Sequence, residues 1–226
     1  MQLTEVSVLG VRSSVTVFRH GETPMRFVLI PTIHMGRPGY YQRITERLTR
    51  CQLVVAEQYD GPSSTGLAYV TALRLSLQRR GGKLVHQDID YSALGVATVW
   101  PDGELLAGRR QRLPIWGWLD LLLMVPFLTV TMAVGGRNWL LRRNFEVSDD
   151  SEPRMRSSFL HRVMLDERDE NLVAAVERIH TERNGEAIDV AIAYGAAHMP
   201  AVVQTLVARL GYRPDRGAEW LLAIDF

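Results

Sequence analysis

The sequence predicts an α/β fold: two related strand-turn-helix-strand halves forming mixed sheets flanked by helices, with a helical apolar insert. Three observations support it. An apolar run, a turn bearing a histidine, an amphipathic helix and a second apolar run ending on an acid occur once around His34 and again around His198. A charged helix containing Glu167-Arg168-Asp169-Glu170-Asn171 stands between the two copies. A long apolar segment covers 113–134. With 226 residues, 46% of them hydrophobic, the chain can bury a sizeable core. Residues 1–226 are therefore expected to form one domain, with the insert at 109–145.

The elements follow in order. Val15-Thr16-Val17-Phe18 and Arg26 to Ile30 read as two strands of a hairpin, with Gly21 to Pro24 as its loop. The first half runs from Phe27-Val28-Leu29-Ile30 through the turn Pro31-Thr32-Ile33-His34 and a helix near Tyr40 to Cys51. It ends on Leu53-Val54-Val55-Ala56-Glu57. Cys51 continues the Tyr40, Ile44, Leu48 spacing and reads as a small core residue; as the single cysteine it excludes an internal disulfide. Leu67, Val70, Leu73 and Leu77 are helically spaced up to Gly81-Gly82. Lys83 to Gln87 then reads as a strand running into Asp88 and Asp90; His86, Asp88 or Asp90 could reach a site from that strand end, but without a matched partner they read first as loop residues.

The segment Leu113 to Val134 is long enough to cross a bilayer, which takes about 20 apolar residues. It carries Asp120 and Pro126 and has arginines on both sides. A single crossing would put the two histidine halves on opposite sides of a membrane, which conflicts with one shared sheet. The expectations are an interfacial helix giving peripheral membrane contact, a hairpin bent at Pro126, an apolar dimer surface, or a buried core helix. Phe145 to Arg156 reads as a hinge.

From Leu160 to Ile179, at 100° per residue, Leu160, Met164, Leu172, Ala175, Val176 and Ile179 share one side of a helix. Arg168 and Asn171 fall inside that sector and Glu167 on its flank, while Asp169 and Glu170 are read as pointing elsewhere. A buried arginine needs a partner, because an unpaired buried charge costs several kcal/mol. Glu57, Asp225 or a bound anion could supply it. The second half comprises a strand from Ala187 to Tyr194, the turn Gly195-Ala196-Ala197-His198, a helix over Ala201 to Leu210 and Leu221-Leu222-Ala223-Ile224-Asp225. Pro200 suits the first turn of that helix, and Gly211 stops it.

A histidine just past a strand's carboxyl end projects into the crevice where open α/β sheets gather ligands and catalytic groups. Two such histidines suggest one site. The plainer reading makes each a hydrogen-bonded structural residue, and makes Arg168 with Glu57 a pair that only locks helix to sheet.

Thr32-Ile33-His34, Glu57, the Glu167 to Asn171 segment and Gly195-Ala196-Ala197-His198-Met199-Pro200, followed by Leu206, Leu210 and Gly211-Tyr212, resemble the TraB/PrgY/GumN/Tiki superfamily over nearly the whole chain. The resemblance implies two related halves, each giving one GxxH-type turn, and, for the Tiki branch, a metal-dependent peptidase; TraB and PrgY relatives are associated with pheromone shutdown. By the same implication His34 and His198 bind or position a divalent metal, Glu57 and Glu167 act as ligand or general base, and Arg168 clamps an oxyanion or carboxylate. Asn171 joins Glu167 and Arg168 as a catalytic candidate. Pro31 stands where the family has glycine, so the first turn is expected to be reshaped.

Imidazole and carboxylate ligands suit Zn, Mn or Co, and also Fe. The expected reaction is hydrolysis of a peptide or small amide; there is no HExxH helix, so an ordinary zincin is excluded. The competing class is a non-enzymatic binder of a peptide, a metal or haem. Arg19-His20-Gly21-Glu22 matches the motif of histidine phosphatases, but its hairpin context argues against that reading. A net charge of +1 gives no long-range attraction for nucleic acid. Met1 to Glu5 show no basic region followed by an apolar run, so no secretory signal is read. A cytoplasmic location is expected, with membrane association resting on 113–134.

Overall fold

The two strands that end in the histidine turns lie side by side at the centre of one sheet. They are β3 (Arg26–Thr32) and β8 (Asp189–Gly195), parallel and in register from Arg26 opposite Asp189 to Thr32 opposite Gly195. Both are covered on two faces, which is why they read as near-continuous apolar runs rather than alternating ones. The computed structural model describes residues 1–7, 9–57, 84–87, 89–101, 122, 123, 125–127, 129, 130 and 159–225, with backbone alone for 86 and 159–167. The expected helix before Gly81, Asp88, most of the 109–145 insert and the hinge lie outside those residues.

Among the described residues the sheet has eight strands. The path is β1 (Thr4–Ser7), β2 (Gly10–Arg19), β3, β8, β5 (Leu53–Ala56) and β7 (Ala97–Val99), with β9 (Arg213–Pro214) and β10 (Glu219–Asp225) added antiparallel to β2. The hairpin expected between Phe18 and Arg26 is present. β2 divides its length: its first part pairs with β1 and β10, and its last four residues pair with β3 and β9. Gly10 permits the close approach to β10, having φ +143°, and a Cβ there would sit 2.0 Å from the Ile224 carbonyl oxygen.

Pro31 extends β3 rather than breaking it. Pairing with β2 has already ended at Thr16 opposite Leu29. The Pro31 carbonyl accepts from Tyr40 Oη at 3.0 Å, away from the ladder, so the missing N–H leaves no strand bond unmade.

Helices cover both faces. α1 (Pro38–Leu48) packs Tyr40, Tyr41, Ile44 and Leu48 against Val28, Ile30, Val54, Ala191 and Ala193. On the other face α2 (Phe159–Arg183) and α3 (Met199–Gln204) place Leu172, Val176, Ile179, Val202 and Leu206 against Phe27, Leu29, Val55 and Ile192. α3 runs on as a π-helical turn, Thr205–Arg209, where one uninterrupted helix was expected. Cys51 is buried as expected. Burial above all, and then the Asp189 carboxylate, push its thiol up to about 11, which leaves it unreactive.

The halves differ in where their last strand goes. β5 returns next to β8, whereas β10 passes to the far side of β2. A short pair, β4 (Met35–Gly36) with β6 (Val85–His86), follows the first histidine turn. Of the 113–134 segment, the described residues are helical and expose Leu122, Leu123, Phe127 and Val130. Among the described residues no helix is long and apolar enough to cross a membrane.

Candidate functional site

The first histidine turn is tied down from α1. Tyr40 and Tyr41 are both buried, and their hydroxyls donate to the carbonyls of Pro31 (3.0 Å) and Ile33 (2.7 Å). Burial holds the Tyr40 phenol far above its usual range, so it stays a donor. His34 follows, exposed, at the mouth of the sheet. Its Nδ1 lies 3.2 Å from Gln87 Oε1, and the Gln87 amide N–H donates to the His34 carbonyl at 2.8 Å. An amide oxygen only accepts, so Nδ1 carries the proton and Nε2 keeps its lone pair.

His198 is held in the same sense by a stronger partner. It is buried at the start of α3, with its ring edge-on to Tyr194 at 5.3 Å. Its Nδ1–H donates to Asp169 Oδ1 at 2.6 Å, a charge-assisted bond. Glu57 sits one residue past β5, anchored by its N–H to the Ala193 carbonyl at 3.1 Å, and is 3% exposed. Its Oε2 accepts from the Gly195 N–H at 2.8 Å. Its Oε1 lies 3.2 Å from Arg168 Nη2 and 4.0 Å from His198 Nε2. The Arg168 guanidinium also lies over the Tyr194 ring at 5.9 Å.

These groups meet at a residue without a side chain. A Cβ placed on Gly195 would stand 3.1 Å from Glu57 Oε2, 3.5 Å from His198 Cδ2 and 3.7 Å from His34 Nε2. The structure therefore brings together His34, Glu57, Arg168 and His198, as the sequence suggested. Asp225 pairs instead with Arg37, at 3.6 Å.

The α2 face differs from the expectation. Asp169 does not point elsewhere: three residues before the buried Leu172, it shares the edge of the apolar face, where His198 arrives from another element. Asn171 is exposed rather than buried on the stripe. The Glu167 side chain lies outside the described residues. Sequence reading also missed Gln87, whose one signal was its place beside the His86 strand. A cleft of about 360 Å³ opens beside Asp169, between α2 and α3, lined by Glu170, Ala174, Ala201 and Thr205 among others.

The donor kinds fit a divalent metal: two imidazoles and one carboxylate border the gap at Gly195. A carboxylate on the far ring nitrogen, as Asp169 is on His198 Nδ1, is the arrangement that metal-bound histidines use. Their spacing is wider than that of a ligated set; among the described residues no three His, Cys, Asp or Glu side chains stand close enough to hold an ion.

His20 lies in the β2–β3 hairpin. Its Nδ1 accepts from the Glu22 N–H at 3.1 Å, and its ring packs on Tyr212 and His180 at 5.2 and 6.3 Å. The chain returns as antiparallel β3 instead of the helix a histidine phosphatase places after this motif. No family model, characterised protein or solved structure matches this chain.

Proposed function

We propose that this protein is a hydrolase of peptide or small amide bonds, working at a site formed by His34, Glu57, Arg168, Asp169 and His198. The observation that carries the reading is the convergence of His34 Nε2, Glu57 Oε2 and His198 on the space at Gly195, from strand ends of both halves. The resemblance to the TraB/Tiki motifs supports the substrate class.

His34, Glu57 and His198 are the residues that would hold a divalent Zn, Mn or Co ion, whose chemistry would be to lower the pKa of a water toward neutrality. The chain's own groups do the rest. Gln87 and Asp169 orient the two imidazoles through their Nδ1 atoms. Glu57 Oε1 is the carboxylate oxygen placed to take a proton from water in this space. Arg168 sets a positive charge where a substrate carbonyl oxygen becomes negative. The cleft beside Asp169 offers room for substrate on the α2–α3 side.

The test is turnover of an internally quenched peptide mixture with Zn, Mn or Co added in turn. Wild-type cleavage that disappears in His198→Ala and Glu57→Gln, both folded, is the expected result. Binding of peptide without turnover would make the protein a binder instead.

A further inference from the structure

The cleft between α2 and α3 is tied to the candidate site by one side chain. Asp169 lines the cleft and also accepts from His198 Nδ1–H at 2.6 Å, so whatever fills the cleft lies against the residue that orients that imidazole. Its volume of about 360 Å³ falls within the roughly 300–1,000 Å³ of ligand pockets.

The lining is apolar and acidic at once. Val173, Ala174 and Ala201 offer short apolar surface, the kind along which lysine and arginine lay their methylenes. Asp169, Glu170 and Glu177 bring carboxylates. Among its described lining residues Arg209 is the one cation, and Glu177 holds it at 2.9 Å. Glu170 is exposed and makes no ion pair or hydrogen bond among the described residues. Negative charge is therefore in excess here. An anionic ligand would meet like charge, and an apolar one would take water from Glu170 without replacing it.

Thr205 adds an unclaimed polar group. The residue is 3% exposed, lines the cleft from the π-helical turn Thr205–Arg209, and its hydroxyl makes no hydrogen bond among the described residues. Thr181, on α2, spends its hydroxyl on the Glu177 carbonyl four residues back, at 2.9 Å; Thr205 makes no such bond. Buried polar groups nearly always find partners, so this hydroxyl points to a ligand that brings an N–H donor. Single π-helical turns also recur at functional sites.

We propose that this cleft holds a lysine or arginine side chain of the peptide substrate, with Glu170 as the specificity-determining residue. Its carboxylate takes the cationic head, Val173, Ala174 and Ala201 cover the methylene stem, and Thr205 Oγ1 accepts an N–H of the bound peptide. That the bound peptide is a substrate rests on the hydrolase reading above; the preference for positive charge rests on the cleft.

The probes are two dye-labelled peptide pools, identical except that one carries arginine where the other carries citrulline, its uncharged isostere. Binding is read by fluorescence anisotropy, and cleavage is read separately with Zn, Mn or Co added in turn. The arginine pool should bind the wild type about tenfold more tightly, and Glu170→Gln should bring it to the level of the citrulline pool. That variant should melt as the wild type does, because Glu170 is exposed and unpaired among the described residues. Glu182→Gln removes another exposed carboxylate of α2 outside the cleft, and should leave the preference unchanged. Thr205→Val should weaken both pools by about three- to tenfold, because citrulline keeps its N–H donors.

Equal binding of the two pools overturns the proposal, as does a preference that survives Glu170→Gln or that Glu182→Gln removes equally. Pools bound alike by Thr205→Val and wild type overturn the part given to the hydroxyl. A wild type that cleaves both pools equally overturns the specificity and leaves the hydrolase reading standing. A wild type that prefers the arginine pool but cleaves neither overturns the hydrolase reading, and the cleft is then the recognition site of a binder.

Discussion

Asp169 Oδ1 and His198 Nδ1 stand 2.6 Å apart, joining the middle helix to the second histidine turn across 29 residues of sequence. The bond does for His198 what the Gln87 amide does for His34: it spends Nδ1 on an oxygen and turns Nε2 to the shared space. Of the two, the Asp169 bond is the shorter, and its histidine is the buried one.

Asp169→Asn should therefore leave the fold intact while spoiling the tautomer. The expected loss in kcat is about 10²- to 10⁴-fold with KM changed only a few-fold, by analogy with the loss seen when an imidazole loses its orienting carboxylate. Steady-state kinetics on a cleaved peptide, beside a melting curve, checks this. An unchanged kcat would make the bond structural only.

Arg168 neutralises a carboxylate that is 3% exposed, while its own side chain keeps 30% of its surface. Arg168→Met should cost about 2–4 kcal/mol of stability, somewhat less than a wholly buried pair because the arginine is partly solvated. Glu57→Gln added to Arg168→Met should recover at least about 1 kcal/mol of that loss, because no charge is then stranded. Urea denaturation of the four proteins of this double-mutant cycle gives the coupling energy directly.

Gly195 has φ −51° and ψ 138°, a conformation open to any residue, so its smallness serves the site rather than the backbone. Gly195→Ala places a methyl 3.1 Å from Glu57 Oε2 and 3.7 Å from His34 Nε2. The variant should fold with a stability change of about 1 kcal/mol or less, yet lose affinity for metal or substrate by about 10- to 100-fold. Titration calorimetry beside circular dichroism separates the two effects.

His180 donates to or accepts from Tyr212 Oη at 3.1 Å and faces His20. Burial first, and then the neighbouring His20, hold its pKa below the ordinary value of about 6.5. The folded state therefore binds fewer protons there than the unfolded chain does. Its contribution is fully present above about pH 6.5 and is lost as the pH falls through the depressed folded value. Tm should drop on acidification from pH 7 to pH 5, and His180→Gln should flatten that slope; an unchanged slope would contradict the assignment.

The histidine turns were legible because β3 and β8, buried on both faces, write their strand ends as unbroken apolar runs halted by Thr32 and Gly195. Arg168 was legible for a related reason: a guanidinium next to a buried stripe demands an acid, and Glu57 ends the neighbouring strand. Asp169 was not, because a helical wheel over one segment carries no sign of His198, which arrives from another element. The same wheel placed Asn171 inside, where it is exposed. Gln87 gave no periodic signal; it follows a short element whose position depends on the β4–β6 pairing. Nor does any local pattern encode why β5 lies beside β8 while β10 crosses to β2, since both end on an acid after an apolar run.

On the proposed reading the histidines of the two halves serve one site. Calorimetric titration of Mn, Zn and Co into the wild type, His34→Ala and His198→Ala, each shown to be folded, tests it most directly. One ion per chain in the wild type, lost from both variants, is the expected result. Binding that survives undiminished in either variant would contradict it, and would leave Glu57 and Arg168 as a pair that fastens helix to sheet.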